Sequence, residues 1–259
     1  MLNRSIGFIG GGRITRIILN GLRRTGQMPG NVVVSDANGE ALNALKKDFP
    51  SVTIAPNNNG SAASNDLVFL ALHPPVLKEN LQPIALSLRP DAVVISLAPR
   101  LPIAALSEGL AGFQRIVRML PNAPSFVNSG HNPLVFATVF SPSEKEELKG
   151  IFQLLGACPE VPENDIEAYA VLTAMGPTYL WFQLYELAGL GKSFGLTEQA
   201  IESGIANMVR GAVSTMFESG LSSARVMDLV PTKPLGEEEE NIKTIYRTKL
   251  TAMYAKLKG

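Results

Sequence analysis

The chain has 259 residues, 46% of them hydrophobic and 18% charged, so it can bury a sizeable core and is not a disordered polymer. Lys+Arg and Asp+Glu both number 23, and a zero net charge argues against nucleic-acid binding through a global basic field. One cysteine (Cys158) and two histidines (His73, His131) exclude an intrachain disulfide framework, a Cys-rich zinc site and a multi-His metal centre.

In chain order, residues 5–9 read as a buried strand, 10–12 as a glycine turn and 14–22 as a helix. Residues 31–35, with three consecutive valines, read as a second strand, and 41–49 as a second helix. Short apolar runs at 52–54, 66–72, 92–97, 115–120 and 135–140 predict further strands, with a helix over 76–88 that Pro83 interrupts. Continuous apolar strands alternating with helices predict an α/β fold, a Rossmann-like parallel sheet with helices on both faces. After Pro162 no β-branched strand remains, and 163–189, 197–219 and 237–258 read as helices. The last carries an apolar stripe (Ile242, Ile245, Tyr246, Leu250, Met253, Leu257), four glutamates at its start, and Lys256 and Lys258 at its end, as the helix dipole favours. The expected division is therefore a dinucleotide-binding domain over 1–160 and an all-helical domain over 161–259. No apolar run reaches the roughly 18 residues that span a bilayer. The N-terminus shows no basic-then-apolar signal. The expectation is a soluble, cytoplasmic protein without membrane partners.

Ile9-Gly10-Gly11-Gly12-Arg13-Ile14 joins the first strand to the first helix, and Thr15 stands at the third, small-residue position of a dinucleotide fingerprint. The first glycine permits the tight turn. The second lets backbone N–H groups approach a pyrophosphate, which then faces the unpaired donors of a helix N-terminus. Asp36 ends the second strand where an acid accepts hydrogen bonds from ribose hydroxyls and repels a 2′-phosphate. The cofactor is therefore NAD or NADP, with NAD slightly favoured. Ser35 is its polar neighbour, and Arg13 could meet either phosphate.

Further blocks narrow the activity. Residues 66–74 (Asp-Leu-Val-Phe-Leu-Ala-Leu-His-Pro) resemble the D-V-V-F-L-A-V-K-P strand of the pyrroline-5-carboxylate reductases. Ser96-Leu97-Ala98 is similar to the S-I-A of that family, and Arg118-Met119-Leu120-Pro121-Asn122-Ala123-Pro124 to its R-V-M-P-N-T-P. Gly176-Pro177-Thr178-Tyr179 resembles its G-P-A-Y. The resemblance implies an all-α C-terminal dimerisation domain whose helices interlock between two chains, a homodimer or higher homo-oligomer, and hydride transfer to a cyclic imine in proline biosynthesis. It also implies that Asn58, Leu72, His73, Pro74 and Ala98 line the cofactor groove, with Asn122 near the nicotinamide.

The chain departs from that family where the resemblance places the substrate. The family's D-x-V-T-S-P-G-G-T-T loop, which grips a carboxylate with backbone donors and reaches the ring nitrogen with a threonine, here reads Asp228-Leu229-Val230-Pro231-Thr232-Lys233-Pro234-Leu235-Gly236-Glu237. The paired glycines and threonines are gone, and two prolines remove N–H donors. Met175 and Ala174 replace a serine and a glycine before Gly176, and His73 replaces a lysine. Lys233 could supply a charge for the carboxylate. The helix after Gly176 could offer N–H groups to an anionic substrate, with Thr173 as its cap; Thr173, Gly176 and Lys233 are the candidate catalytic residues. The substrate expected is a small imine or amino-acid-like molecule. The alternatives are a catalytically silent or re-purposed dinucleotide-binding dimer with a regulatory role, and a reductase acting on a deazaflavin. Cys158 reads as an inert thiol, Trp181 and Phe182 as core or dimer interface, and His131 has no identifiable partner.

Overall fold

A computed structural model describes residues 3–258. Its contacts divide the chain into two units. The first runs through Met175 and takes in the last residues from Tyr254; the second is Gly176–Met253.

The first unit is built on β1 (Ile6–Ile9), β2 (Val32–Asp36), β3 (Thr53–Pro56), β4 (Leu67–Leu70), β5 (Val93–Ser96), β6 (Ile116–Met119) and β8 (Leu134–Phe136). They form one sheet in the order β3-β2-β1-β4-β5-β6-β8. A separate two-stranded ribbon pairs β7 (Gly130–His131) with β9 (Gly156–Ala157). The order reverses between β1 and β4, the switch point at which doubly wound sheets bind nucleotides. Six strands of the sheet run parallel; β8 pairs with β6 antiparallel, so the expected all-parallel sheet gains one reversed edge. Residues 120–133, which hold a 3₁₀ turn (Ala123–Val127) and β7, bring the chain back antiparallel with no α-helical crossover.

The strands are apolar throughout because both faces are covered. Val93 and Ile95 of β5 enter one cluster, with side chains of α1 (Arg13–Arg24), α2 (Gly39–Asp48) and α6 (Pro142–Phe152). Val94 enters the other, with side chains of α3 (Asn59–Ala63), α4 (Pro74–Ala85) and α5 (Ile103–Gly109). Phe8 stacks on Phe69 at 4.8 Å between ring centroids, and Phe152 meets Phe69 edge-on at 6.4 Å. Leu42, Leu45 and Phe49 put the spacing that predicted α2 against this core.

The continuous helix expected over 163–189 is broken. A 3₁₀ turn (Glu163–Asp165) leads into α7 (Ile166–Tyr169), a π-helical turn follows (Ala170–Ala174), and α8 (Pro177–Ser193) begins after it. Pro177 explains the break: it has no N–H to offer Thr173 O, four residues back. Residues up to Met175 belong to the first unit, which moves the division from the expected 160 to 175. The physical reason is a buried ion cluster. Arg118, on β6, donates to Glu163 Oε1 at 3.0 Å and to Glu167 Oε1 at 2.9 Å, and Ile103 N–H also donates to Glu163 Oε1 at 2.8 Å. Ile166 and Ala170 pack on Leu120 and Val135 beside it.

The second unit holds α8, α9 (Glu198–Glu218), α10 (Ser223–Asp228) and most of α11 (Glu239–Lys258). Thr197 caps α9 and Ser222 caps α10. Trp181, Phe182, Tyr185, Phe194, Met216 and Phe217 are exposed. Among the described residues, no helix is long and apolar enough to cross a membrane, and no group of acidic, His and Cys side chains could hold a metal.

Candidate cofactor site and its neighbours

The glycine turn lies at the end of β1, on the carboxyl edge of the sheet at the switch point. Gly10 has φ +110°, and a Cβ there would come within 2.6 Å of Ala71 O, so only glycine fits. Gly12 is the N-cap of α1, has no side-chain cap, and faces open space. The first N–H groups of α1 are therefore presented to an anion, with no protein side chain occupying the place. Thr15 is buried, and its hydroxyl donates to Gly10 O at 2.6 Å, which ties the turn to the helix. Gly11 N–H donates to Asp36 Oδ2 at 2.7 Å, and Asn38 N–H to Oδ1 at 2.8 Å. The acid at the end of β2 is thus fixed beside the turn, and a carboxylate still has lone pairs for ribose hydroxyls.

A cavity of about 310 Å³ opens where β1, β4, β5 and β6 end. Ile14, Leu72, His73, Pro74 and Ala98, all expected at the cofactor, line it together. Ala71, Leu97, Pro99, Leu120 and Pro121 complete the lining; they follow β4, β5 and β6, and that position was the signal that could have found them. The turn and cavity fit a dinucleotide: an anion-binding helix start and an apolar slot for a ring.

Other expected contacts resolve differently. Ile9 is buried in the sheet. Ser35 is also fully buried, and its hydroxyl donates to Asn59 Oδ1 at 2.7 Å, so its side chain holds α3 to β2 and has no face for a ligand. Asn58 is exposed and caps α3, accepting from Ser61 N–H at 3.0 Å, and does not line the cavity. Arg13 is exposed at the start of α1. Asn122 is buried next to Pro121, with both ends of its amide engaged: Nδ2 donates to Thr173 O at 3.3 Å, and Oδ1 accepts from His131 N–H at 3.1 Å. It satisfies the carbonyl that Pro177 leaves without a helical donor.

The three candidate catalytic residues are not assembled by any one unit. Thr173 lies in the first unit, Gly176 and Lys233 in the second. Thr173 is not the cap of α8: its hydroxyl donates back to Tyr169 O at 2.9 Å, and Gly176, itself in helical conformation, is the uncapped N-cap. A π turn runs into α8, so its first residues continue earlier backbone bonding, with Met175 N–H donating to Ala170 O at 3.0 Å. The expected cap role of Thr173 is thereby corrected. Lys233 borders an apolar cavity of about 490 Å³ in the second unit, with Val226, Val230, Leu235 and Ile242. Lys243, on the same cavity, is ion-paired to Glu239 and Glu240.

Arg118 was not singled out from sequence as a functional candidate. Its only signal was a charged residue inside an otherwise apolar strand, which must be paired when buried. Cys158 is buried, and burial pushes its thiol up to about 11, which agrees with an inert role.

Comparison with known proteins adds to this geometry. Residues 5–100 match the family model described as "NADP oxidoreductase coenzyme F420-dependent". The pyrroline-5-carboxylate reductase of Escherichia coli (strain K12) is 26% identical over 230 residues, 88% of this chain and 85% of that protein. The enzyme of the same name from Methanosarcina acetivorans is 24% identical over 255 residues, 98% of this chain and 94% of that protein. Among solved structures, a pyrroline-5-carboxylate reductase from Coxiella burnetii is 28% identical, with a TM-score of 0.69 over 99% of this chain and 95% of that one. The chain is thus similar to pyrroline-5-carboxylate reductases over nearly its whole length, at 24–28% identity. The fold alone is shared at a TM-score of 0.82 with the Plasmodium falciparum pyrroline carboxylate reductase crystallised with NADP bound, which is 20% identical and covers all of this chain and 98% of that one. The family's likeness extends across both units, whereas the F420 model stops at residue 100, within the nucleotide-binding half.

Proposed function

We propose that the protein is an NAD(P)H-dependent reductase of a small cyclic imine, with pyrroline-5-carboxylate the first substrate to test. The observation that carries the reading is the uncapped start of α1 opening beside the apolar cavity at the switch point, in a chain similar to these reductases over nearly its whole length. A reduced nicotinamide, when bound, supplies the hydride. Gly10 and Gly11, whose N–H groups are bonded to Ser35 O and Asp36, would shape the turn, Gly12, Arg13 and Ile14 at the uncapped start of α1 would hold its pyrophosphate by backbone donors, and Leu72, His73, Pro74 and Ala98 would hold its redox half. The protein's contribution is position and exclusion of water, since holding two reactants in line can supply roughly 7–11 kcal/mol of the barrier. Lys233, on a loop that Pro231 and Pro234 deprive of N–H donors, is our candidate for the substrate carboxylate. Thr173 and Gly176 are proposed to shape the substrate end, not to donate a proton.

The finer reading has NAD preferred over NADP, because Asp36 is fixed beside the turn where a 2′-phosphate would meet a carboxylate. It also has two or more copies associating through the second unit. Trp181, Phe182, Tyr185 and Leu190 on α8 and Met216 and Phe217 on α9 are exposed in the single chain, large apolar side chains that a second copy would cover. Action in the cytoplasm goes with this reading.

The test is the loss of reduced-nicotinamide absorbance with pyrroline-5-carboxylate, for NADH and NADPH in parallel. Turnover well above a no-substrate control, faster with NADH, is expected. No turnover with either cofactor, while both still raise the melting temperature, would leave a dinucleotide-binding protein and remove the imine reductase.

A further inference from the structure

Four residues close a circuit on the β6 side of the cavity. His131 N–H donates to Asn122 Oδ1 at 3.1 Å, and Asn122 Nδ2 donates to Thr173 O at 3.3 Å. Thr173 Oγ1 donates to Tyr169 O at 2.9 Å, and the Tyr169 ring returns to the His131 ring with 5.8 Å between centroids. The imidazole and the phenol are both partly exposed, and among the described residues neither ring nitrogen nor the phenol oxygen has a hydrogen-bond partner. The circuit touches the cavity wall twice. Asn122 directly follows Pro121, and Tyr169 packs on the cluster that contains Leu120; both Pro121 and Leu120 line the cavity. With pyrophosphate donors at the end of β1 and Asp36 at the end of β2, a dinucleotide crossing the switch point lays its redox half over β4, β5 and β6. The paired rings do not line the cavity; they are joined to its β6 wall through Asn122 and Leu120, on the side where a redox half would lie.

We propose that His131 is the proton donor to the imine nitrogen in the reaction proposed above, and that Tyr169 is the positioning residue that fixes the imidazole. The inference rests on that reading of the site. The imine carbon gains the hydride and the C=N π pair moves to nitrogen. An imidazolium N–H of His131 gives that nitrogen its proton, and the ring takes one back from water. The two electrons come from the reduced nicotinamide. Imidazole is the side chain best suited to release and recover a proton near neutrality. The strand that pairs with β7 brings no titratable side chain, and Cys158 just beyond it is a neutral, buried thiol.

The experiment compares wild type, His131→Gln, Tyr169→Phe and Tyr169→Ala in NADH oxidation with pyrroline-5-carboxylate. The NADH-induced rise in melting temperature is measured for each. His131→Gln should lower kcat by about 100-fold or more, with KM and the thermal rise unchanged. Tyr169→Phe, which keeps the ring, should retain wild-type kcat; Tyr169→Ala should lose about tenfold, a smaller loss than removing the acid itself. A second readout needs no turnover. The His131 ring resonance, assigned by its loss in His131→Gln, should move when the saturated cyclic amine product is added to the protein with NAD⁺. Wild-type kcat in His131→Gln, or a resonance that does not move, overturns the proposal while the imine reductase stands. Equal losses in Tyr169→Phe and Tyr169→Ala overturn the positioning role. No turnover by the wild type overturns the underlying reading, and the proton donor with it.

Discussion

The two units solve the problem of burial differently. The first closes on itself. Its strands are buried on both faces, its one charged strand interior, Arg118, is paired twice, and its candidate site is framed by elements of the same unit. The second is apolar along its helices yet, of the residues in α8, only Gly191 is buried. In α9 and α10 none is. An α/β unit can exhaust its apolar surface internally because a sheet offers two faces to helices. A few helices from one chain offer too few layers to cover their own apolar stripes.

The largest effect that would sharpen this contrast is expected in the second unit. Phe182→Asp, on an exposed apolar face, should weaken self-association by about 4 kcal/mol or more, the range of interface hot spots, and give a monomer in analytical ultracentrifugation. The wild-type melting temperature should rise with protein concentration. A wild-type monomer whose melting is independent of concentration would break the comparison.

Next come core changes in the first unit, whose cost should not depend on concentration. Phe8→Ala removes a ring stacked on Phe69 and should cost about 3–5 kcal/mol in denaturant unfolding. Arg118→Met leaves Glu163 and Glu167 without their cation and should cost about 3–5 kcal/mol, because an unpaired buried charge is worse than an apolar pair. Smaller is Gly10→Ala: with φ at +110° and Ala71 O in the way, strain of about 1–3 kcal/mol should fall on the turn and appear as weaker NADH binding by calorimetry.

The smallest effect concerns α6. Ser141 caps this helix in a reciprocal box with Glu144, and Ser141→Ala should cost about 1 kcal/mol. Hydrogen bonds from the Ser141 backbone and hydroxyl, then from Arg115, hold the Glu144 carboxyl down to about 2. A carboxyl lowered on folding stabilises the fold above its ordinary value of 4.5, and that contribution is lost as pH falls from there toward 2. In Ser141→Ala the Glu144 titration, followed by NMR, should move back up toward 4.5.

Much of the first unit was legible because periodicity and burial agree there. Every long strand was visible as an apolar run, and the glycine turn announced the cofactor end. Short elements were not. The helices α3, α5 and α10 are too short to show a period, α6 is mostly polar, and the two-residue strands β7 and β9 carry no pattern. At the candidate site, residues following strand ends were found when they sat in a familiar block, as with Leu72, His73, Pro74 and Ala98. Ser35 and Asn58 have polar side chains in the right stretch of chain, but their directions are set by the neighbours they bond, Asn59 and Ser61. The pairing of His131 with Tyr169 spans 38 positions and left no trace in local pattern.

By itself the sequence determined the class of the fold, the glycine turn, the alternation of strands and helices and the apolar stripe of the last helix. These follow from local rules, namely side-chain period, φ freedom and capping chemistry. Only the tertiary structure decided that 163–175 joins the first unit, that Thr173 bonds backward, and that Asn122 is a brace. It also decided that Arg118 has two carboxylates. Each depends on a contact between residues distant in sequence, or on how one missing N–H at Pro177 is compensated. Such choices are made by the balance of buried polar groups, which no window of sequence contains.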